Sequence, residues 1–276
     1  MRTPDLIAIV YFLYVIAAAC FVRDVAAERR IRVAGMAAGA ILLVLLSVQI
    51  LPAHSVVRDW LPAIWLLFGY WLPGGLQHEP MPGVEAWLRA SDRWLHETEW
   101  ARTPPAWLSA VLELAYFLVH VFVPAGFLVL AVAGLDASEH FWTPVLLAGY
   151  ACYGTLPWLQ ARPPRLVESG AADLPRPASG ERAGVRGLAP AQVRGWNERV
   201  LDLVSVKANT FPSGHVAVAL AVALVVRDLL PVAGLIFVPT ALLIAAATVV
   251  RRYHYTADAA LGLVVAIVCW AGTRLL

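Results

Sequence analysis

The sequence predicts an all-α polytopic membrane protein, a bundle of six core helices preceded by one or two helices near the N-terminus. Three observations support this fold. Of the 276 residues, 60% are hydrophobic and only 14% are charged, whereas soluble domains carry roughly 25% charged residues. Several apolar stretches approach the roughly 20 residues that a helix needs to cross a bilayer. Backbone groups inside lipid must also pair within their own segment, which favours helices.

The apolar stretches that predict these helices are spread along most of the chain. They comprise residues 6–22, 33–51, 106–134, 141–158, 216–230, 232–250 and 256–270. The first stretch is followed by FVRD and by no clear small-residue cleavage site, so we expect it to remain as a helix. The net charge of +2 is too small to indicate a nucleic-acid partner. The cysteines lie in apolar stretches, where we expect packed thiols rather than a disulfide or a metal site.

Three parts of the chain follow from these stretches. Residues 1–52 are predicted to form N-terminal transmembrane helices, and residues 53–105 an interfacial or re-entrant segment with an amphipathic helix. Residues 106–276 are predicted to form the core, with a polar loop at 159–206. Within the second part, residues 60–73 are short for a span and contain two prolines, so they are expected to cross, re-enter or lie flat.

Residues 84–96 have the pattern of an amphipathic helix. One face carries Val84, Trp87, Leu88, Trp94 and Leu95, and the other carries Glu85, Arg89, Asp92 and Arg93. Such a helix either lies in the membrane interface or packs over the end of the bundle, and the pattern favours neither placement.

The segment FPSGH, at residues 211–215, stands directly before an apolar stretch. Ser213 is a good N-cap, and the first N–H groups of the following helix, those of Gly214 and His215 among them, are expected to point out of the membrane. A helix N-terminus attracts anions, and glycine lets a phosphate approach the backbone closely. His215 could then donate a proton to a leaving oxygen. Taken alone, the segment also fits a helix that is merely capped.

A second histidine occurs in RRYHYTADAALG, at residues 251–262. Because His254 and Asp258 are four residues apart, the carboxylate can hold Nδ1–H of the imidazole and leave Nε2 free as a nucleophile. A purely structural His–Asp pair is the alternative. Two apolar segments of helical length separate the two motifs, so the chain is expected to cross and return, with His215 and His254 at the same membrane face.

Cations that suit phosphate oxygens are predicted at the same face. Arg162 and Arg165 follow the apolar stretch 141–158, in LQARPPRLVESG. Guanidinium groups bind phosphate well, although arginines at a membrane surface also contact lipid headgroups. The predicted phosphate-binding set is completed by Lys207, Ser213, Gly214, Arg251 and Arg252.

These motifs resemble those of the type-2 phosphatidic acid phosphatase superfamily, whose members carry Lys-x6-Arg-Pro, Pro-Ser-Gly-His and Ser-Arg-x5-His-x3-Asp elements. Arg162-Pro163 fits the end of the first element, residues 212–215 match the second, and His254 with Asp258 fits the end of the third. The resemblance covers roughly residues 106–276. It implies that His254 is a nucleophile forming a phosphohistidine, that Asp258 orients it, and that His215 is the general acid. It also implies that neither a metal nor a cofactor is needed.

The sequence departs from the family pattern at two cationic positions. The family lysine would fall at Thr155, and the family Ser-Arg pair at Ala247 and Thr248. The cations predicted to substitute are Arg165, Lys207, Arg251 and Arg252. The forms HYTAD and RPPR are more similar to the branch that contains inositol phosphorylceramide synthase and sphingomyelin synthase, whose members transfer phosphoryl headgroups between lipids.

A polar stripe lies within the apolar stretch 106–134. Glu113, Tyr116 and His120 are spaced at i, i+3 and i+7, so on a helix they share one face. The stripe is predicted to be either a headgroup or acceptor site inside the bundle, or an interhelical hydrogen-bond seam.

The sequence therefore predicts a membrane enzyme that hydrolyses a lipid phosphomonoester or diphosphate. The alternatives are transfer of a phosphoryl headgroup to a second lipid, and non-enzymatic lipid binding or transport. The resemblance implies a multi-pass protein of the cell membrane with its active site on the extracytoplasmic side. Seven spans are favoured over eight, because the arginine-rich residues 23–32 would then lie opposite the active site, as the positive-inside rule requires.

Overall fold

The computed structural model describes residues 1–102, 104–168, 197, 199, 205–206 and 208–275. In this part of the chain every regular element is a helix. In chain order the helices are α1 (Thr3–Phe21), α2 (Ala27–Ile50), α3 (Val56–Gly74), α4 (Pro82–Ser91), α5 (Arg93–Glu97), α6 (Glu99–Arg102), α7 (Ala106–Val132), α8 (Ser138–Tyr153), α9 (Pro164–Glu168), α10 (Gly214–Leu229), α11 (Pro231–Val250) and α12 (Thr256–Thr273).

The predicted all-α bundle is confirmed. Five helices of the described chain, α1, α2, α7, α11 and α12, are long and apolar enough to cross a membrane by themselves. The three other long helices, α3, α8 and α10, have 19, 16 and 16 residues. The six core helices are therefore α3, α7, α8, α10, α11 and α12, and the two N-terminal helices are α1 and α2.

Helix α10 forms the centre of the bundle. Every side chain from residue 216 to residue 226 is buried, because α7, α8, α11 and α12 pack around it. A helix that is apolar on all sides is stable only when it is enclosed in this way. The FPSGH motif at its N-terminus is consequently fixed by neighbours on several sides.

Residues 60–73 belong to a continuous helix, α3, which packs lengthwise against α1 and α8. The close approach to α8 depends on Gly69, since a Cβ there would lie 2.2 Å from Cε1 of Tyr150. Small residues at helix contacts are typical of membrane bundles, where backbones approach closely.

The charges at the start of α3 are paired with residues of α1 and its N-cap. Nη2 of Arg58 lies 3.0 Å from Oδ2 of Asp5, and both side chains are buried. Nη1 of Arg2 lies 2.6 Å from Oδ1 of Asp59. These ion pairs offset the cost of placing charged side chains in the bundle, so α3 can run beside the apolar helices.

The motif end of the bundle is the end at which α8 stops and α10 and α12 begin. Residues 23–32 lie at this end, because Nη1 of Arg29 donates to the carbonyl of Gln77 at 3.2 Å, and Nε2 of Gln77 donates to the carbonyl of Val206 at 2.5 Å. The prediction that residues 23–32 lie opposite the motifs is therefore wrong. It assumed that residues 60–73 do not run through the bundle.

Helix α4 packs over the motif end, which is one of the two placements that the sequence left open. Leu88 is fully buried and contacts the cluster of Ala161 and Tyr255. The polar face is also covered, since Glu85 is 5% exposed and Asp92 is 0% exposed. The two carboxylates of the polar face therefore contact other parts of the protein, whereas Arg89 and Arg93 of the same face are exposed.

Candidate active site

The two motif histidines are in direct contact at the motif end. Nδ1 of His215 lies 3.2 Å from Nε2 of His254, and the two rings meet at 62°. His215 is in the first turn of α10, and His254 is in the loop between α11 and α12. The antiparallel pair α10 and α11 carries the chain down and back, so both side chains reach the same end, as the sequence predicted.

Asp258 lies behind His254 and is completely buried. Its Oδ2 is 3.5 Å from Nδ1 of His254, which is longer than a well-formed hydrogen bond of about 2.9 Å. The same Oδ2 accepts hydrogen bonds from the backbone N–H of Tyr255 at 2.9 Å and from Nδ2 of Asn209 at 2.8 Å. Asp258 therefore caps the first turn of α12 as well as facing the histidine.

The FPSGH motif is held by its cap and by close packing. Ser213 is the N-cap of α10, and its side chain accepts a hydrogen bond from the N–H of Val216. A Cβ at Gly214 would lie 2.2 Å from Cε1 of Tyr153. Glycine at this position is thus required by the packing of Tyr153, a role that the sequence interpretation did not include.

A cavity of about 350 Å³ opens beside the two histidines. Its polar end is lined by Tyr116, His120, Arg165, His215, Tyr253 and His254. The remaining walls are mostly apolar and come from α3 and α7. This combination of a large apolar wall with a few converging polar groups is typical of a small-molecule site.

Arg165 is the predicted cation that faces this cavity in the described structure. Its guanidinium lies 5.1 Å from the ring centroid of Tyr253, within cation–π range. The Tyr253 ring in turn stacks on Tyr116, with centroids 3.5 Å apart and planes 2° from parallel. Within the described residues Arg165 forms no ion pair, so its charge is held by the aromatic stack and not by a carboxylate.

Three other predicted phosphate-binding arginines are paired with carboxylates. Arg162 forms a bidentate ion pair with Glu85, in which Nε donates to Oε1 at 2.9 Å and Nη2 donates to Oε2 at 3.0 Å. The remaining two contacts join Arg251 to Glu113, with Nη2 to Oε1 at 2.6 Å, and Arg252 to Asp92, with Nη1 to Oδ2 at 2.6 Å. Lys207 was also predicted to bind phosphate and lies outside the described residues.

The Glu85 pair shifts an acid–base equilibrium. Hydrogen bonds from Arg162 hold the pKa of Glu85 below its ordinary value of 4.5, although burial opposes the shift. The carboxylate is therefore ionised near neutral pH and remains bound to the guanidinium.

The structure divides the predicted polar stripe. Tyr116 and His120 line the cavity, and the His120 ring lies 6.3 Å from the His215 ring. Glu113 lies behind them and is buried, where it accepts hydrogen bonds from Arg251, from Nδ2 of Asn197 and from the Tyr253 hydroxyl. Burial and the nearby Glu113 raise the pKa of Tyr253, so its hydroxyl stays protonated and donates. Glu113 thus forms the seam, and the other two residues face the site.

Sequence reasoning missed Glu85, Asp92 and Asn209. The first two were assigned to a polar face only, because periodicity does not identify the partner of a charge. Asn209 lies six residues before His215, in ANTFPSGH, and is 1% exposed. An amide so near the motif was an available signal. Within the described residues, no group of three His, Cys, Asp or Glu side chains is arranged to hold a metal ion.

Comparison with known proteins identifies the family to which the chain belongs. A model of the PAP2 superfamily matches residues 83–272, which is more than half of the chain. A PA-phosphatase related-family protein of Dictyostelium discoideum is 43% identical over 60 residues, a segment that covers 22% of this chain and 11% of that protein. No solved structure gives a significant match. The extent of the family match shows that this chain belongs to the PAP2 superfamily.

Proposed function

We propose that the protein is a lipid phosphate phosphatase that hydrolyses a lipid phosphomonoester or diphosphate through a phosphohistidine at His254. Membership of the PAP2 superfamily indicates phosphatase or phosphotransferase activity on lipid phosphates. The observation that carries the more specific proposal is the contact of His215 with His254, backed by Asp258, at the polar end of a largely apolar cavity.

The chemistry follows from the positions of the ring nitrogens. Nε2 of His254 attacks phosphorus while Asp258 holds the proton on Nδ1. The bond between phosphorus and the lipid oxygen breaks, and His215 gives its proton to that oxygen. A water molecule then attacks the phosphohistidine and passes a proton to His215. Inorganic phosphate leaves, and both histidines return to their first protonation state.

We assign the binding of phosphate oxygens mainly to Arg165 and the N-terminus of α10. Arg165 lines the cavity and forms no ion pair with a described residue. The helix end adds partial positive charge beside His215. Arg162, Arg251 and Arg252 are engaged by Glu85, Glu113 and Asp92, so their expected contribution is to position the loops around the phosphate.

Transfer to a second lipid is the alternative reaction, and one observation favours it. His120 lines the cavity near His215, and its buried Nε2 has no hydrogen-bond partner in the described structure. Such a nitrogen could accept the proton of an acceptor hydroxyl. The resemblance of HYTAD and RPPR to the branch with inositol phosphorylceramide synthase points the same way.

The side of the membrane is part of the proposal. We place the motif end on the extracytoplasmic side of the cell membrane, as the family resemblance implies. The arginines of residues 23–32 lie at the same end and oppose this orientation under the positive-inside rule. Arg89 and His140 are exposed at opposite ends of the bundle. The orientation is decided by replacing each in turn with cysteine and labelling intact cells with an impermeant maleimide. Labelling only at position 140 in intact cells would reverse it.

The reaction is tested with purified protein in nanodiscs and a lipid phosphate labelled at phosphorus. Wild-type protein should release free phosphate and carry label that survives alkali and is lost in acid. Both signals should vanish in His254→Ala, because Nε2 of His254 is the ring nitrogen that lies 3.2 Å from Nδ1 of His215. Both should persist in His140→Ala, a control on the exposed far end of the bundle. Label that persists in His254→Ala would move the nucleophile elsewhere.

A second lipid in the same assay separates hydrolysis from transfer. Diacylglycerol, ceramide or an inositol-containing lipid is added, and free phosphate and new phospholipid are scored together. Label that passes mainly into a new lipid would reject hydrolysis. Loss of that product in His120→Ala, with phosphate release intact, would place the acceptor beside His120. Binding of the lipid with neither product would leave a non-enzymatic lipid-binding protein.

A further inference from the structure

The cavity continues away from the histidines as an apolar groove between α3 and α7, called the tail groove here. Its walls carry Trp60, Ala63, Leu67 and Trp71 from α3, and Phe122 and Val123 from α7. Polar groups are confined to the motif end of the cavity, so the groove offers its deeper part only hydrocarbon contacts. A lipid phosphate has a charged headgroup and a hydrocarbon chain. The polar end of the cavity suits the headgroup, and the apolar groove suits the chain.

The groove runs along most of α3. Residues 60 and 71 are separated by roughly 16 Å, at about 1.5 Å per helical residue. Asp59, the neighbour of Trp60, pairs with Arg2 at the end of the bundle opposite the motifs, so the deep end of the groove lies beyond the middle of the roughly 30 Å hydrocarbon core. A hydrocarbon chain that enters from the motif side can therefore lie extended along the groove.

The groove is closed at its deep end and open at its side. Trp60 meets Phe127 edge to face, with ring centroids 4.8 Å apart, and this contact joins α3 to α7. Nearer the motif end, Leu67 and Trp71 line the groove and are also 49% and 39% exposed on the bundle surface. Helix α3 packs mainly on α1 and α8, and α7 on α10 and α11. The side opening therefore faces the lipid.

We propose that the tail groove holds one hydrocarbon chain of the substrate. The chain enters the groove laterally, from the leaflet on the motif side. This inference rests on the proposed function, since the phosphate at the histidines fixes the other end of the lipid. The whole cavity of about 350 Å³ lies at the small end of the range of about 300–1,000 Å³ for drug-sized ligands. It accommodates a phosphate and one chain, and a second chain stays in the bilayer.

The contact of Trp60 with Phe127 sets the longest chain that fits. Chains that reach beyond Trp60 must displace one of these rings, whereas shorter chains leave apolar surface of the groove unfilled. A chain that comes from the bilayer leaves no water behind, so it gains little hydrophobic free energy on entering the groove. The groove therefore selects chains by fit and not by hydrophobicity.

The first test blocks the groove from each wall. Ala63→Phe and Val123→Phe should each lower the ratio of kcat/KM for a long-chain alkyl phosphate to kcat/KM for a short, water-soluble alkyl phosphate, by about tenfold. Leu242→Phe is the matched control, because Leu242 faces the membrane on α11 and is 49% exposed. An unchanged ratio in both groove variants, or an equal fall in the control, would overturn the proposal. The ratio is insensitive to partial loss of folded protein.

The second test reads chain length and position. Trp60→Ala should shift the preferred alkyl phosphate towards longer chains, and an unchanged preference would overturn the role of this residue. An alkyl phosphate with a diazirine at its chain end should label α3 or α7 within the groove. Labelling of the outer face of α11 instead would reject the site. Labelling needs no turnover. It therefore tests binding of the chain in the groove even if no phosphate release is found and the proposed function fails.

Discussion

Asn209 gives the sharpest test of how the structure positions the proposed nucleophile. Nδ2 of Asn209 donates to Oδ2 of Asp258 at 2.8 Å, closer than Nδ1 of His254, which lies at 3.5 Å from the same oxygen. The backbone N–H of Asn209 also donates to the carbonyl of Ala161 at 2.9 Å. Asn209 therefore ties the first motif to the carboxylate of the third and holds that carboxylate in place.

The expected effect of Asn209→Ala follows from this bond. A buried hydrogen bond to an ionised group contributes about 1.5–3 kcal/mol, and Asp258 is completely buried. If about 2 kcal/mol of that is lost from the transition state, kcat falls by roughly 30-fold. KM should change little, because Asn209 does not line the cavity. The assay is steady-state phosphate release from a lipid phosphate in nanodiscs, with the folded fraction measured in parallel.

Asn197→Ala is the matched control for this prediction. Asn197 is also a fully buried asparagine whose Nδ2 donates to a carboxylate, at 2.9 Å from Oε2 of Glu113. We expect it to lower the stability of the fold by a similar amount with a much smaller loss in kcat. A loss of less than about threefold for Asn209→Ala, far below the roughly 30-fold expected, would refute the reasoning. So would equal losses in both variants that track the folded fraction.

Three further predictions concern the leaving group, metals and pH. His215→Ala should slow hydrolysis of alkyl phosphates more than that of activated aryl phosphates, because a good leaving group needs little protonation; equal losses would count against a general acid. Saturating EDTA should leave the rate unchanged, and activity that vanishes and returns with magnesium or zinc would overturn the mechanism. The pKa of Glu85 is lowered by Arg162, so the pair stabilises the fold above pH 4.5 and this stability is lost as the pH falls through the lowered pKa. Between about pH 5 and about pH 3, thermal unfolding of wild type should shift more steeply than that of E85Q, and parallel curves would contradict the assignment.

The sequence was sufficient for the helical fold and for the two histidines. Hydrophobic stretches of membrane length predict helices because lipid leaves the backbone no other partner. His215 and His254 are separated by two such stretches, so their meeting at one end follows from the length of the chain between them. The spacing of His254 and Asp258 likewise predicts their contact, although His254 lies just before α12 and not within it.

The path of α3 could not be predicted, because the reason for it lies in another helix. Residues 60–73 contain two prolines and follow Arg58 and Asp59, which argues against a transmembrane helix. The structure pairs these charges with Asp5 and Arg2, more than 50 positions away in the chain. Local composition contains no information about such partners, and the error in the position of residues 23–32 followed from this gap.

The sequence could not show which arginines are paired with carboxylates, for the same reason. Guanidinium groups at the right face are equally good phosphate ligands when only the sequence is known. Arg162 and Arg251 prove to be bound to Glu85 and Glu113, which are 77 and 138 positions away. The motif position alone pointed to Arg162, whereas Arg165 is the arginine that lines the cavity in the described structure.

If Arg165 binds phosphate as proposed, its contact with the Tyr253 ring affects how quickly the anion exchanges. A phosphate that binds at Arg162 must compete with Glu85, so capture there requires one ion pair to break as another forms. At Arg165 the guanidinium rests on the face of Tyr253, and a ring face offers no negative oxygen that must first be displaced. If phosphate binds at Arg165 as proposed, its capture therefore requires no ion pair with a described residue to break. Dissolved salt should then compete directly with the substrate for this arginine.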